Sequence, residues 1–458
     1  MTSTTNDTIV APATTYGKSS INIIRLSGKA SRDILDKLAQ KQININHKEA
    51  KLIKIYFADG SLLDECIAIY FRAPNSYTME DVVEIQCHGG YFIAKSILSE
   101  CIKHGARIAN AGEFTKRAFL GGRIDLSQAQ AIAKLIESKN KQSHNMLMRH
   151  LSGEMRDFCH SLRQNLIELL AHSEVFIDYS DEDLPNDLIN SMVTKLENIE
   201  QKLQNLIDYS KHKQATIKGH KICIIGKPNV GKSTLLNTLL NEDRAITSEI
   251  AGTTRDSIEA EFIFRGHSLL LIDTAGIRDS KDLIEQEGIK RSLKKAQESD
   301  ILIAIFDISK ELTKDDTEII NILKEANKEA FVILNKNDLQ SKFDIDIIKE
   351  FSPFKISLKD INATNEDSPL SDFKNSLENH LNKSDNIESL ILSSEYQYHA
   401  INNCIEAIKN SKEPFLFGEL ELFSFHINTA IKEIAKITKP YEYSEVLDSI
   451  FSDFCLGK

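Results

Sequence analysis

One octapeptide constrains this chain more than any other feature. Gly226-Lys227-Pro228-Asn229-Val230-Gly231-Lys232-Ser233 follows the apolar run Lys221-Ile222-Cys223-Ile224-Ile225 directly and leads into the helix-forming Thr234-Leu235-Leu236-Asn237. A glycine-rich loop between a buried strand and a helix start turns backbone N–H groups toward one point, and the helix dipole adds positive potential there. Strand, loop and helix in that order predict a phosphate-binding loop on a βαβ unit. In such a loop Lys232 reaches the β- and γ-phosphates and the Ser233 hydroxyl takes Mg2+. The predicted phosphate set is Asn229, Val230, Gly231, Lys232, Ser233 and Thr234.

Apolar runs recur at Leu269–Ile272, Ile301–Phe306 and Phe331–Leu334, alternating with helical segments, so a mostly parallel α/β sheet is expected. Asp273-Thr274-Ala275-Gly276 ends the first of these runs; Asp273 suits the magnesium shell and Gly276 can offer its N–H to a γ-phosphate. Asn335-Lys336-Asn337-Asp338 ends the last. The Asp338 carboxylate can accept from the ring N–H and exocyclic amine of guanine together, a pair that adenine does not offer. Ser357-Leu358-Lys359 is a candidate base loop, with Ser357 as its site residue. Together these motifs resemble the G domain of Ras-like GTPases over residues 218–378. One position departs from that pattern: Ile277 stands where the water-orienting Gln is expected. No arginine finger is evident, although Arg255 and Arg278 are candidates, and another group is expected to neutralise the transition-state charge.

The flanks differ in texture. Residues 1–122 mix short β-like runs (Ile21–Leu26, Ala68–Phe71, Val82–Ile85) with turn signals; Asp59-Gly60 is the clearest hairpin, and an α+β domain is expected. Residues 123–217 turn helical, with Leu162, Leu166, Leu169 and Leu170 on one face and Leu188, Met192, Leu196, Ile199, Leu203 and Leu206 on another. Helical texture returns over 379–458, so the α/β module reads as an insertion into one all-α domain. The chain has 458 residues, with 56 Lys+Arg against 67 Asp+Glu and a net charge of −11. That balance gives no global footprint for nucleic acid, which leaves a local patch such as Lys211, Lys213, Lys218 and Lys221, or a partner. Seven scattered Cys without a CxxC pair argue against disulfide or zinc frameworks. No apolar run spans a bilayer and no secretory signal opens the chain, so a cytoplasmic protein is expected.

Further runs carry a closer resemblance. Ile250-Ala251-Gly252-Thr253-Thr254-Arg255-Asp256, with Pro228-Asn229 in the phosphate loop, resembles the potassium-activated bacterial GTPases. The runs Asn6-Asp7-Thr8-Ile9-Val10-Ala11, Pro74-Asn75-Ser76-Tyr77-Thr78 and Cys87-His88-Gly89-Gly90 belong to the same pattern, as does Gly112-Glu113-Phe114-Thr115-Lys116-Arg117-Ala118-Phe119-Leu120. With Phe454-Cys455-Leu456-Gly457-Lys458 they resemble the MnmE (TrmE) family of tRNA uridine-modifying GTPases over essentially the whole chain.

The resemblance implies that Asn229, Ser248, Ile250 and Thr253 hold K+ in the place of an arginine finger when two G domains face each other. It adds Ser248, Glu249, Ile250, Ala251, Gly252, Thr253 and Thr254 to the GTP set, with Asp273, Thr274, Ala275 and Gly276 and, at the base, Asn335, Lys336, Asp338 and Ser357. Thr254 would join Ser233 on Mg2+. Glu285, in Asp282-Leu283-Ile284-Glu285-Gln286-Glu287, aligns with the family's catalytic Glu, which orients the water in place of the missing Gln. The N-terminal domain is implied to dimerise and to bind a reduced folate (5-formyl or 5,10-methylene tetrahydrofolate) through Arg25, Glu84, Arg123 and Lys458. Arg123 stands where Lys is usual, keeping the charge but not the shape. Cations suit the folate's carboxylates and Glu84 suits the pterin's donors. Cys455 is implied as a reactive or positioning thiol, with a frayed tail as the plainer alternative. The implied reaction modifies carbon 5 of a wobble uridine in tRNA, jointly with MnmG (GidA), which carries FAD, in a heterotetramer. A ribosome-assembly GTPase and a pure regulatory switch are the rival readings; folate binding separates the first. Intact tRNA modification after substitution of Arg25, Glu84 or Cys455 would favour the second.

Overall fold

The computed structural model describes residues 7–15, 17–138, 140–178, 186–213, 215, 219–240, 258–272, 296–326, 328–359, 368–385, 390–439, 451, 454 and 457. The chain divides into two compact units: Met1–Ile136 with Leu147–Gln204 and Leu392–Lys458, and Glu137–Met146 with Asn205–Ile391.

The first unit opens with β1 (Thr8–Pro12), β2 (Ile21–Ser27), α1 (Ser31–Leu38), β3 (Ala50–Tyr56), β4 (Leu62–Phe71) and β5 (Val82–His88). It continues with α2 (Tyr91–Lys103), β6 (Ala106–Ile108) and α3 (Glu113–Leu120). The six strands form one sheet in the order β3-β4-β5-β2-β1-β6. All neighbours are antiparallel except β1 and β6. The expected hairpin joins β3 to β4, and the Asp59 carboxylate accepts from the Ser61 N–H at 2.9 Å inside the turn. Period-two alternation sends Ile24, Leu26, Val83, Ile85 and Cys87 toward Ile34, Leu35, Ala94 and Ile97 of α1 and α2. Arg25 and Glu84, one step out of phase, lie on the other face, where Phe114 of α3 packs on Ile9 and Ala11.

Four helices follow: α4 (Leu126–Glu137), α5 (Lys141–Leu151), α6 (Glu154–Asp178) and α7 (Asn186–His212). The leucine spacing is realised: Leu162, Leu166 and Leu169 of α6 and Met192, Leu196, Ile199 and Leu203 of α7 are buried.

The second unit holds β7 (His220–Ile225), α8 (Lys232–Leu240), β8 (Ile258–Phe264), β9 (His267–Ile272) and β10 (Ile301–Asp307). After these come α9 (Lys314–Glu325), β11 (Glu329–Asn335), β12 (Phe354–Ile356) and α10 (Pro369–Asp385). Every expected apolar run is a strand of one sheet, ordered β12-β11-β10-β7-β9-β8, and only β8 runs antiparallel to its neighbour. Along β10, Ile301, Ile303 and Ile305 join Leu235, Leu239, Phe373 and Leu377 on one face. Leu302, Ala304 and Phe306 join Ile320 and Leu323 on the other. Burial on both faces explains why these strands read as unbroken apolar runs rather than alternating ones. At roughly 1.5–3 kcal/mol for each fully buried large aliphatic side chain, this double layer fixes the strand ends that carry the motifs. The chain builds from β7 to β9 on one side and then returns to β10 on the other. The crevice at the carboxyl ends of β7 and β10 is therefore a topological switch point, where such sheets bind ligands.

Two helices, α11 (Glu395–Leu416) and α12 (Leu420–Lys436), return to the first unit. Ser173 of α6 and Ser424 of α12 share a 2.9 Å hydroxyl hydrogen bond, and Lys412 of α11 donates to Glu200 of α7 at 2.5 Å. Helices from before and after the α/β unit thus pack together. The final described residues are anchored as well. Phe451 and Phe454 cluster with Phe119, Leu126 and Ala129, and a Cβ on Gly457 would strike the Pro12 carbonyl, so only glycine fits there. All three of these positions are buried.

Candidate functional site

The octapeptide forms the turn between β7 and α8. Burial lowers the pKa of the Lys232 ammonium, which donates to the carbonyl oxygens of Gly226 at 2.7 Å and Lys227 at 2.8 Å. It is held across the mouth of its own loop, at the turn predicted to receive phosphate. Gly231 has φ +113, and a Cβ there would run into Nδ2 of Asn335. Asn229 (φ +62) and Lys336 (φ +68) are non-glycine residues in the left-handed region, one in each nucleotide motif. Such backbone costs of order 1–3 kcal/mol and clusters at ligand sites.

Asn335, 4% exposed at the end of β11, connects three loops. Its amide donates to the Val230 carbonyl of the phosphate loop at 2.6 Å, and its amide oxygen accepts from the Leu358 N–H at 3.0 Å. Ser357 donates to Asp338 at 3.0 Å, which pre-orients the carboxylate assigned to guanine. The motifs at residues 226–233, 335–338 and 357–359 therefore meet at one edge of the sheet, as their order along the chain predicts. Ser233 is exposed at the start of α8, and Thr234 is half-buried beside it.

Two pins were not legible beforehand. Lys336 donates to Asp307, the last residue of β10, at 2.6 Å. Burial opposes the charge on Asp307, but hydrogen bonds from Lys336 and Ser309 outweigh it and hold the carboxyl below its ordinary pKa. Lys227 donates to Asp316 at 2.5 Å and to the Thr313 hydroxyl at 2.9 Å, at the head of α9. The only sequence signal was an acid at each end of the β10–α9 connection.

In the N-terminal sheet, strand register sets Arg25 opposite Glu84. Their side chains pair at 2.8 Å and are 22% and 17% exposed. The ring of Tyr77 lies 5.8 Å from the Arg25 guanidinium and 4.8 Å from that of Arg123, which also donates to the Tyr77 carbonyl. Arg25, Glu84 and Arg123 thus share one neighbourhood. Arg25 sits beside the carboxylate of Glu84 rather than at the far end of a ligand from it. Tyr77, present in the quoted Pro74–Thr78 run, is the aromatic platform that charge-based reasoning passed over. Its hydroxyl bonds Thr115 of α3 at 3.0 Å. The neighbouring Glu80 is tied to the buried Arg117 of α3 at 3.0 Å, so the whole run is braced. The exposed His88 ring pairs with Asp64 at 2.7 Å.

Glu285, Cys455, Lys458, Ser248, Glu249, Ile250, Ala251, Gly252, Thr253, Thr254, Asp273, Thr274, Ala275 and Gly276 lie outside the described residues. Among the described residues no group of acidic, His and Cys side chains forms a metal site, and no helix is long and apolar enough to cross a membrane.

Residues 126–455 match the family model described as MnmE helical domain, and residues 8–123 match the one described as GTP-binding protein TrmE N-terminus. The tRNA modification GTPase MnmE of Sulfurovum sp. (strain NBC37-1) is 44% identical over 455 residues, 99% of this chain and 99% of its own. Its namesake from Helicobacter pylori (strain J99 / ATCC 700824) is 45% identical over 457 residues, 100% of this chain and 98% of its own. Among solved structures, the FeoB G-domain from Methanococcus jannaschii aligns at 20% identity and TM-score 0.24, covering 36% of this chain and 97% of its own.

Proposed function

This chain belongs to the MnmE family of tRNA modification GTPases, and on that premise we propose a potassium-activated GTP hydrolase that acts with the flavoprotein MnmG on the wobble uridine of certain tRNAs. The observation that carries the reading is the meeting of Lys232, Asn335, Asp338 and Ser357 at one sheet edge in a chain whose identity to those GTPases runs end to end. Asp338 selects guanine, Lys232 leaves its two carbonyls for phosphate, and Ser233 binds Mg2+. The exposed Asn229 amide supports a K+ site with Ser248, Ile250 and Thr253, where the ion supplies the positive charge of an arginine finger. Glu285 orients the attacking water.

The cluster of Arg25, Glu84, Arg123 and Tyr77 fits a reduced folate: the Glu84 carboxylate, paired with Arg25, for pterin N–H donors, the Arg123 guanidinium for the glutamyl carboxylates, and the Tyr77 ring as an aromatic face beside both guanidinium groups. Phe454 packs with Phe119, and Gly457 lies against the Pro12 carbonyl; folate roles for Lys458 and Cys455 are part of the same reading. The folate supplies a one-carbon unit, and the installed group is of the aminomethyl or carboxymethylaminomethyl type. GTP hydrolysis drives G domain association and rearrangement within a homodimer that joins MnmG and its FAD as a heterotetramer. The protein acts in the cytoplasm, without a membrane role.

GTP hydrolysis measured in matched KCl and NaCl, for the wild type and Glu285→Ala, tests the reading. Strong stimulation by K+ that disappears in Glu285→Ala is expected. Equal wild-type rates in the two salts would remove the K+ site at Asn229.

A further inference from the structure

We propose that the β10–α9 connection is a positioning element of the nucleotide site, and that Asp316 sets the shape of the phosphate loop by holding Lys227, which is not itself a phosphate ligand. The geometry carries the assignment. Asp316 is 2% exposed, and one of its oxygens accepts from Lys227 Nζ at 2.5 Å, from the Thr313 N–H at 2.9 Å and from the Thr313 hydroxyl at 2.8 Å. Lys227 spends a second donor on the Thr313 hydroxyl at 2.9 Å. A cation committed in this way cannot turn to a phosphate without leaving a buried carboxylate unpaired, which is costly.

The backbone of the same residue faces the site. The Lys227 carbonyl accepts from Lys232, so the residue strapped to α9 by its side chain also presents one of the two oxygens that hold the loop lysine. The opposite end of the connection repeats the device, with Asp307 holding Lys336 of the guanine motif at 2.6 Å. One short connection therefore grips a lysine from each nucleotide motif and keeps the two loops at a fixed spacing. The loop is shaped before nucleotide arrives, so binding does not have to order it.

This inference rests on residues 226–233 being the phosphate loop, and the test separates the two. Binding of a fluorescent GDP is measured with the full-length protein for wild type, Lys227→Met, Asp316→Asn, the double variant and Lys227→Arg, with melting temperature read alongside. Each single variant is expected to weaken binding about tenfold, the cost of one charge-assisted hydrogen bond. The double variant is expected to be no weaker than the poorer single one, because both remove the same strap. Lys227→Arg should recover most of the affinity, and in GTP hydrolysis KM should rise more than kcat falls. A folded Asp316→Asn that binds as tightly as wild type would overturn the proposal, since Lys227 would then act on the phosphates directly. Losses that multiply in the double variant, or a lower melting temperature with unchanged affinity, would overturn it too. Absence of GDP binding by the wild type would remove the phosphate-loop reading, and the strap with it.

Discussion

The α/β sheet and the N-terminal sheet bring functional side chains together by opposite geometries. In the first, the site is made at strand ends, where loops leave a sheet buried on both faces and the backbone itself carries much of the recognition. In the second, the site is made in mid-strand: Arg25 and Glu84 are 59 residues apart and meet only because β2 and β5 pair in one register. A one-residue slip of either strand would send its residue to the opposite face and break the pair. A strand-end site tolerates change in the sheet but not in the turn. A mid-strand site has the reverse sensitivity.

The sharpest way to break that contrast is Gly231→Ala. The added methyl would meet both the Asn335 amide and a φ of +113, at a cost of about 1–3 kcal/mol. Because Asn335 also holds the Val230 and Leu358 backbones, GDP affinity should fall by one to two orders of magnitude (roughly 1.4 kcal/mol per tenfold), as read by titration calorimetry. Retention of wild-type affinity would mean that the turn is not the element that builds the site.

The mid-strand site is sharpened by a cycle of Arg25→Met and Glu84→Gln. Partial exposure keeps the stability coupling near ~1 kcal/mol or below in chemical denaturation. Binding of 5-formyltetrahydrofolate should drop about tenfold in each single variant if both groups contact the ligand. A full-strength folate complex in both would show that the pair is only a cross-strand brace.

The smallest effect concerns acid. Asp307 titrates below its ordinary value in the folded chain because Lys336 and Ser309 outweigh burial. Its stabilising contribution is complete above the unfolded value, near about pH 3.9, and is lost as pH falls through the lower folded value. The stability gap between wild type and Asp307→Asn, on the order of 1 kcal/mol at neutral pH, should therefore close below about pH 4. A gap that persists at acid pH would mean that Lys336 is held by something other than this carboxylate.

The same contrast explains what could be read in advance. Loop chemistry is local in sequence, so Gly226 to Ser233 and Asn335 to Asp338 were legible with their strands, Ser357 was a candidate by its place in the order, and the hairpin joining β3 to β4 was signalled by Asp59-Gly60. The pinning of Lys227 by Asp316 crosses 89 positions and depends on how α9 packs, which no local pattern encodes. Arg25, Glu84 and Arg123 were identified through family resemblance, because isolated charges carry no signal of their own. The Tyr77 ring was overlooked because a search for charge does not find a neutral platform, although its run had already been singled out.

The contact between Gly457 and Pro12 has a consequence in time. During synthesis, residues 1–122 can pair their strands early, yet Phe451, Phe454 and Gly457 emerge only after the intervening helices and the α/β unit. At roughly 5–20 residues per second that delay is some tens of seconds. For that interval Phe119 lacks its two late aromatic partners and the Pro12 carbonyl lacks its glycine, and a chain that stalls short of residue 451 leaves them so, exposing apolar surface of the kind that quality control recognises.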